Sequence, residues 1–426
     1  MPGNASTVFA TYRSLTTAKR ASVRSGIAHT WLSIGFGPLL TLAIMSGCAS
    51  TPRHAHPSMH PRRHHAATER TQHPIGATPV LDLSTTSDLE TLIPALADKR
   101  VVLIGETHDR FDHHLTQLEI IRGLHAIHPQ IAIGMEAFQR PFQRHLDDYV
   151  AGELSERELL RETEYYQRWR FDFRLYQPIL SYAREHQLPL VALNLPGELT
   201  RKVGRGGIEG LSDEERQQIP GEIDRSDLAY EKRLEDIFNQ HPMKGERSFD
   251  HFLEVQLLWD EGMAERAADY LESNPESSMV ILAGSGHLAY GSGIPRRLAR
   301  RIPASTAVVL SDWIEDWIEE GGTEAADFML LSRRRDLPPA GQIGVLLSLA
   351  EGIPEVLSCM SGSACETAGL KPGDEIRSID DQPIADMADL KLIMWDKKPG
   401  DRIRLEVRRR RWPFAPKSLT HEVTLQ

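Results

Sequence analysis

The sequence predicts an α/β domain with a mostly parallel central sheet and helices on both faces, followed by a smaller β-rich domain. Three observations carry this. Short apolar runs rich in β-branched residues alternate with helical segments, as in parallel sheets buried on both sides. Two of those runs end alike: Val101–Ile104 stops at Gly105-Glu106-Thr107-His108, and Val280–Ala283 stops at Gly284-Ser285-Gly286-His287. After Ser332-Arg333-Arg334-Arg335-Asp336-Leu337-Pro338-Pro339 the chain changes to short strands and tight turns, which places a domain boundary there.

A chain of 426 residues is too long for one ordinary domain. Residues 1–47 read as an export signal. Arg13, Lys19, Arg20 and Arg24 precede an apolar core from Thr30 to Met45, which is shorter than the roughly 20 residues of a membrane span. Ile44-Met45-Ser46-Gly47-Cys48 resembles a bacterial lipobox, so Cys48 is the expected lipidation site; an uncleaved N-terminal anchor is the alternative. Either reading exports the chain and tethers it to a membrane. Ala49 after Cys48 favours the outer membrane, facing the periplasm. Losing 1–47 removes four positive charges and no acids, taking the net charge from −11 to −15. Such a protein is a poor partner for nucleic acid, and Arg408–Arg411 reads as a solvated hairpin end rather than a phosphate patch. Cys359 and Cys365 either pair, as an oxidising compartment allows, or stay as buried thiols.

Residues 48–78 hold His54, His56, His60, His64, His65 and His73 among Pro, Arg and Thr without apolar periodicity, the composition of a tether. The α/β domain is expected over 79–332. Ser87 and Glu90 are spaced as a capping box for a first helix. The strands are expected at Val101–Ile104, Ile131–Glu136, Leu190–Asn194, Met279–Ala283 and Thr306–Leu310. Leu115–Ala126 and Phe249–Leu271 carry helical periodicity, Gln143–Gln187 is helical in pieces, and Gly293-Ile294-Pro295 starts a helix to Arg301. The polar stretch around 204–247 reads as an insertion or lid. Trp313 and Trp317, four apart, read as a packing stripe.

Glu106, His108, Glu136 and His287 stand at carboxyl ends of expected strands, which share one edge in a parallel sheet. Two imidazoles with one or two carboxylates suffice as ligands for Zn, Mn or Fe with open positions. Without metal, the same groups suit a carboxylate-oriented imidazole that takes a proton from water or a hydroxyl. If the site is hydrolytic, Glu106 or Glu136 is left to activate water.

In the C-terminal domain, 337–426, Ala368-Gly369-Leu370-Lys371-Pro372-Gly373-Asp374-Glu375-Ile376 resembles a bacterial PDZ domain. Expected there are a strand at Gln342–Leu347, a helix at Asp386–Met394 and a strand pair near Arg402–Arg408 and Leu419–Leu425. The resemblance implies capture of a partner's C-terminal peptide as an added strand, with its carboxylate on backbone amides of a tight loop. Gly341–Leu346 matches that loop and its following strand, and Ile343, Gly344, Val345 and Leu346 are the peptide-binding candidates.

Residues 80–315 are similar to a second family. Leu103–Asp109, Gly134-Met135-Glu136-Ala137-Phe138, Trp169–Leu180, and Gly284–Leu288 followed by Gly291–Pro295 together resemble the ChaN-like haem-binding uptake lipoproteins of the Tiki/TraB and erythromycin-esterase-like superfamily. That resemblance implies a pocket lined by the paired Gly-x-x-His motifs and the central Glu, with haem or an iron complex as ligand. It also implies haem pairs across a homodimer with tyrosine ligation. Other branches are metal-dependent proteases and esterase-like hydrolases. His108, His113, His114, His287 and Tyr290 lie near the expected rim, and Tyr165, Tyr166 and Tyr176 on the stretch that would cover it; His108, His287 and Tyr290 are the cofactor-binding candidates. Two classes of function therefore stand: an envelope haem binder, and a peptidase or esterase using Zn or Mn. A scaffold that has lost its ligand is the third.

Overall fold

The computed structural model describes residues 87–240, 248–312, 324–350, 352–411 and 414–426. The expected signal (1–47), Cys48, the tether, Trp313 and Trp317 lie outside them, as does part of the 204–247 insertion. Among the described residues no helix is long and apolar enough to cross a membrane.

The chain runs α1 (Leu89–Ala97), β1 (Val101–Glu106), α2 (Phe111–Ile127), β2 (Ile131–Gln139), α3 (Gln143–Val150), α4 (Glu156–Glu162), α5 (Tyr165–Arg168), α6 (Gln177–Glu185) and β3 (Leu190–Asn194). It continues through α7 (Gly197–Gly206), α8 (Asp213–Arg216), α9 (Leu228–Gln240), α10 (Phe249–Ser273), β4 (Ser278–Gly284), α11 (Ile294–Arg301), β5 (Thr306–Ser311) and β6 (Phe328–Leu330). The six strands form one parallel sheet in the order β3-β2-β4-β1-β5-β6. The five expected strands are all present. β6 was not expected: three half-buried residues carry no periodicity that a sequence reading can detect. The cap of α1 also differs from expectation, since Asp88 rather than Ser87 accepts the Thr91 N–H.

Alternation along the strands explains why both faces are covered. Val102, Ile104, Ile133, Met135, Val280 and Leu282 face one core with α1, α2, α3 and α6. Val101, Leu103, Ala132, Met279, Ile281 and Ala283 face a second core with α10 and α11. Each fully buried Ile or Leu contributes on the order of 2 kcal/mol, so the strands read as continuous apolar runs. β1 and β4 are neighbours, with Glu106 opposite Gly284. The chain leaving β1 enters α2 on the first face, and the chain leaving β4 enters α11 on the second. Two adjacent strands whose loops diverge to opposite faces open a crevice at their carboxyl ends, the usual ligand position in such sheets.

The second sheet is antiparallel, in the order β12-β11-β9-β8-β7, with β10 pairing β9. Its elements are β7 (Val345–Ala350), β8 (Ile353–Cys359), α12 (Ala364–Thr367), β9 (Asp374–Ile379), β10 (Gln382–Pro383), α13 (Met387–Met394), β11 (Arg402–Arg411) and β12 (Phe414–Thr424). β8 had no counterpart in the sequence reading, and the final hairpin is longer than expected. Cys359 and Cys365 form a disulfide. The arginines of β11 are not a solvated end: Arg408 and Arg410 bind Glu375, and Arg409 binds Asp374.

Candidate functional site

His108 and His287 follow the ends of the adjacent strands β1 and β4, and each is oriented through Nδ1 by an acid. Nδ1 of His108 lies 2.9 Å from Glu106 Oε1, and Nδ1 of His287 lies 2.6 Å from Asp260 Oδ1. A carboxylate at Nδ1 fixes the proton there and turns Nε2 outward, the arrangement found behind metal-binding imidazoles. Between the two rings sits Glu136 of β2. Its Oε2 accepts the Gly284 N–H at 2.7 Å, and its Oε1 is 3.5 Å from Nε2 of His287. Glycine at 284 lets the His108 ring approach the backbone closely. A Cβ there would lie 3.0 Å from Cε1 and 3.1 Å from Nε2 of His108. Gly293 is the second such point, because a Cβ there would run into the His287 carbonyl.

The surrounding acids raise the pKa of both rings. Burial pulls His287 down, but Glu136 and Asp260 outweigh it and lift its pKa to about 9. Burial likewise lowers His108, and the Glu106 hydrogen bond with the Glu136 charge raises it overall. Asp260 also accepts the Tyr230 hydroxyl.

Glu106 plays a different part from the one its position suggests. Oε1 accepts from His108 and, at 2.7 Å, from the Tyr176 hydroxyl. Oε2 accepts from Gln117 at 2.8 Å and lies 3.1 Å from Nδ1 of His114. A carboxylate offers about four acceptor positions, so none remains for a metal or an attacking water. Burial opposes its ionisation, yet His114 and His108 hold it well below the usual carboxylate range. It is an orienting group.

Aromatic side chains wall the His108 side. The Trp169 and Phe171 rings lie 4.8 and 5.0 Å from its imidazole, and Trp259 approaches His287 at 6.1 Å. Tyr165, Tyr166 and Tyr176 are buried. The Tyr290 hydroxyl is buried and the Arg233 guanidinium lies 4.4 Å over its ring. His113 belongs to a separate cluster. It accepts the Thr107 N–H through Nδ1 and faces Asp312 through Nε2. Among the described residues only Asp112, His113 and Asp312 bring three ligand atoms within 4.8 Å of one another. Arg110 already supplies their cation, at 2.5 Å from Asp112 and 2.8 Å from Asp312. The rim residues Glu106, His108, Glu136 and His287 share an edge without closing to that spacing. A concavity of about 480 Å³ lined by Pro129, Gln130, His186 and Asn274 opens at the opposite, amino end of the sheet and holds none of them.

Asp260 escaped the sequence reading because it lies mid-helix, in α10. The available signal was Asp260-Glu261 inside the run Leu257-Leu258-Trp259 and Gly262-Met263-Ala264, two acids on a face that proves fully buried.

In the second domain, Ile343 is buried, and Gly344 adopts φ 70° with its Cα against Ser363, where a Cβ would collide. Val345 and Leu346 open β7, which ends its sheet and pairs on its far side with no strand among the described residues. Segment 359–365, closed by the disulfide, backs this loop: Met360 N–H donates to Gly344 O and Cys365 N–H to Ile343 O.

Comparison with known proteins agrees with this division. Residues 92–298 match the family model described as haem-binding uptake, Tiki superfamily, ChaN, and residues 341–425 match the PDZ domain model. Protein RETICULATA-RELATED 5, chloroplastic, of Arabidopsis thaliana is 29% identical over 261 residues, covering 56% of this chain. The match spans only 35% of that curated relative's length. The solved structure of cofacial haem binding to ChaN of Campylobacter jejuni is 19% identical, covers 58% of this chain and 92% of that one, and superposes with a TM-score of 0.48. An erythromycin esterase mutant in its open conformation is 18% identical, covers 52% of this chain and 72% of that one, and gives a TM-score of 0.33. The chain therefore carries a ChaN-like haem-binding (Tiki superfamily) domain at residues 92–298 and a PDZ domain at residues 341–425.

Proposed function

We propose that the protein captures haem or an iron complex at the carboxyl edge of its parallel sheet, as a lipoprotein anchored through Cys48 at the outer membrane. It would face the periplasm and serve iron uptake, while its PDZ domain docks a partner's free C-terminus on β7, beside Ile343, Gly344, Val345 and Leu346. The observation that carries the reading is the family match over 92–298. The donor set gives support of its own. A haem iron takes an axial His, Tyr, Met or Cys. His108 fits, since Glu106 holds Nδ1 and Nε2 makes no hydrogen bond to a described residue; His287 is oriented likewise by Asp260. The rim tyrosines do not fit, because Tyr165, Tyr166, Tyr176 and the Tyr290 hydroxyl are buried. Imidazole rather than tyrosine ligation is therefore the expectation for one protomer, with a homodimer leaving room for a second haem. When bound, the haem supplies an iron for the imidazole; the protein supplies orientation and the Trp169–Phe171 wall.

One observation favours the hydrolytic reading: two imidazoles, each backed by an acid, flank Glu136, whose Oε1 has only the long contact to His287. In that case His108 and His287 would hold Zn or Mn as a Lewis acid, Glu136 would take a proton from water, and the substrate would be a peptide or ester. A single set of samples separates the readings. Hemin titrated into the full chain is expected to give a sharpened Soret band with saturable stoichiometry, lost in His108→Ala. Saturation that persists in that variant removes His108 from the site. No saturable hemin binding, together with stoichiometric Zn or Mn that disappears in the same variant, establishes the second reading instead.

A further inference from the structure

The wall over His108 is gripped from behind by the PDZ domain. Helix α13 divides its side chains between the two domains. Ala388 and Leu392 are buried in the core of the parallel-sheet domain, while Ile393 lies in the PDZ core and Leu390 and Met394 pack against that core. Its polar groups reach the parallel-sheet domain as well. Lys391 Nζ donates to the Arg170 carbonyl at 3.1 Å, and its ammonium lies 5.9 Å over the Tyr166 ring. Arg157 answers from the other domain, donating to Leu392 O at 2.6 Å and pairing with Asp396 at 2.8 Å. Trp395 meets Phe173 edge-on at 5.4 Å.

Arg170, the residue Lys391 holds, stands between Trp169 and Phe171, the two rings against His108. Its φ of 73° is one that a side chain adopts only at a cost of about 1–3 kcal/mol, so surrounding contacts must maintain it. Around it hydrogen bonding is incomplete: the buried Tyr165 hydroxyl, Trp169 Nε1 and Trp395 Nε1 make no hydrogen bond, and each such group costs about 1–3 kcal/mol. Within its own segment Arg170 bonds Tyr165 O and Gln167 O, and Lys391 ties its carbonyl to the other domain; a strained residue beside unsatisfied buried groups is where a second arrangement would cost least.

We propose that α13 holds the Trp169–Phe171 segment over His108, so that the PDZ domain governs access to the rim of the other domain. Lys391 and Trp395 are positioning residues in this device. In so far as α13 and β7 form the two walls of a peptide groove, which rests on the docking reading above, a peptide seated there shifts the cap, and occupancy of the rim changes peptide affinity by the same factor.

The test is the rate at which diethyl pyrocarbonate modifies His108 in the full chain, resolved by peptide mass spectrometry with exposed His128 as internal reference. Lys391→Ala is expected to raise the His108 rate about fivefold, the lower end of ordinary coupling, and Lys391→Arg, which keeps a donor, to restore it. Trp395→Ala is expected to act in the same direction. An unchanged His108 rate in a folded Lys391→Ala protein overturns the proposal, whether or not Trp395→Ala folds. The third arm uses the strongest binder from a library of free-carboxylate decapeptides, with its amidated form as control. A bound peptide that alters the His108 rate supports the coupling, and one that leaves it unchanged limits the PDZ domain to docking and overturns the coupling. If no peptide binds, the docking reading fails, and the Lys391 arm still decides whether α13 holds the cap.

Discussion

The two histidines of the rim look alike in sequence and are built differently. Glu106 lies two residues before His108 on the same strand end, and it is saturated by His108, His114, Gln117 and Tyr176. Asp260 comes from the middle of α10, twenty-seven residues before His287, and among the described residues accepts from His287 and Tyr230. The first pair is embedded in a network that fixes one geometry. The second is a single ion pair facing Glu136, its charge set by two acids. One orienting acid is thus shared among four side chains, and the other between two.

The sharpest way to break this contrast is at Glu106. Glu106→Ala leaves the buried His114, Gln117 and Tyr176 groups without their acceptor. It is expected to lower the free energy of unfolding by about 3 kcal/mol or more, the usual cost of stripping one partner from a buried charge network, as measured by urea denaturation. A loss no greater than that of Asp260→Asn would erase the distinction between the two sides.

Asp260→Asn is expected to cost less, about 2 kcal/mol, and to bring the His287 pKa down from about 9 toward the ordinary histidine range, followed by NMR of the labelled imidazole. The folded-state pKa lies above the unfolded value of 6.5, so the contribution is complete below pH 6.5 and is lost as pH rises through about 9. The variant should lose most of that alkaline dependence. An unshifted His287 would mean that Glu136 alone sets its charge.

The PDZ domain offers the mirror case, with the smallest expected effect. Burial raises the pKa of Glu375, but hydrogen bonds from Arg408, Arg410 and Arg377 override it and hold the carboxyl down to about 2. With a folded value below the unfolded 4.5, its stabilisation is present above pH 4.5 and disappears as pH falls toward about 2. Glu375→Gln is expected to flatten the acid limb of a thermal-melting profile without moving the alkaline one. An unchanged acid limb would show that the half-exposed arginines are solvated rather than paired.

The parallel sheet was readable because its strands are buried on both sides, so each announces itself as an apolar run, and because a tight turn after such a run demands glycine. The same regularity makes the placement of Glu106, His108, Glu136 and His287 on one edge a consequence of chain order. β6 and β8 were not readable, since their residues are only partly buried and their hydropathy is not distinctive.

What the sequence by itself determined is therefore the sheet, its edge and the two families, all of which follow from local periodicity and short motifs. The tertiary structure alone decided which group does what there. Glu106 became an orienting acid because His114, Gln117 and Tyr176 spend its lone pairs, the Tyr290 ring came to lie under Arg233, and Asp260 reached His287 from a remote helix. A carboxylate's role depends on which donors reach it, and donors that meet across a sheet leave no period in the chain.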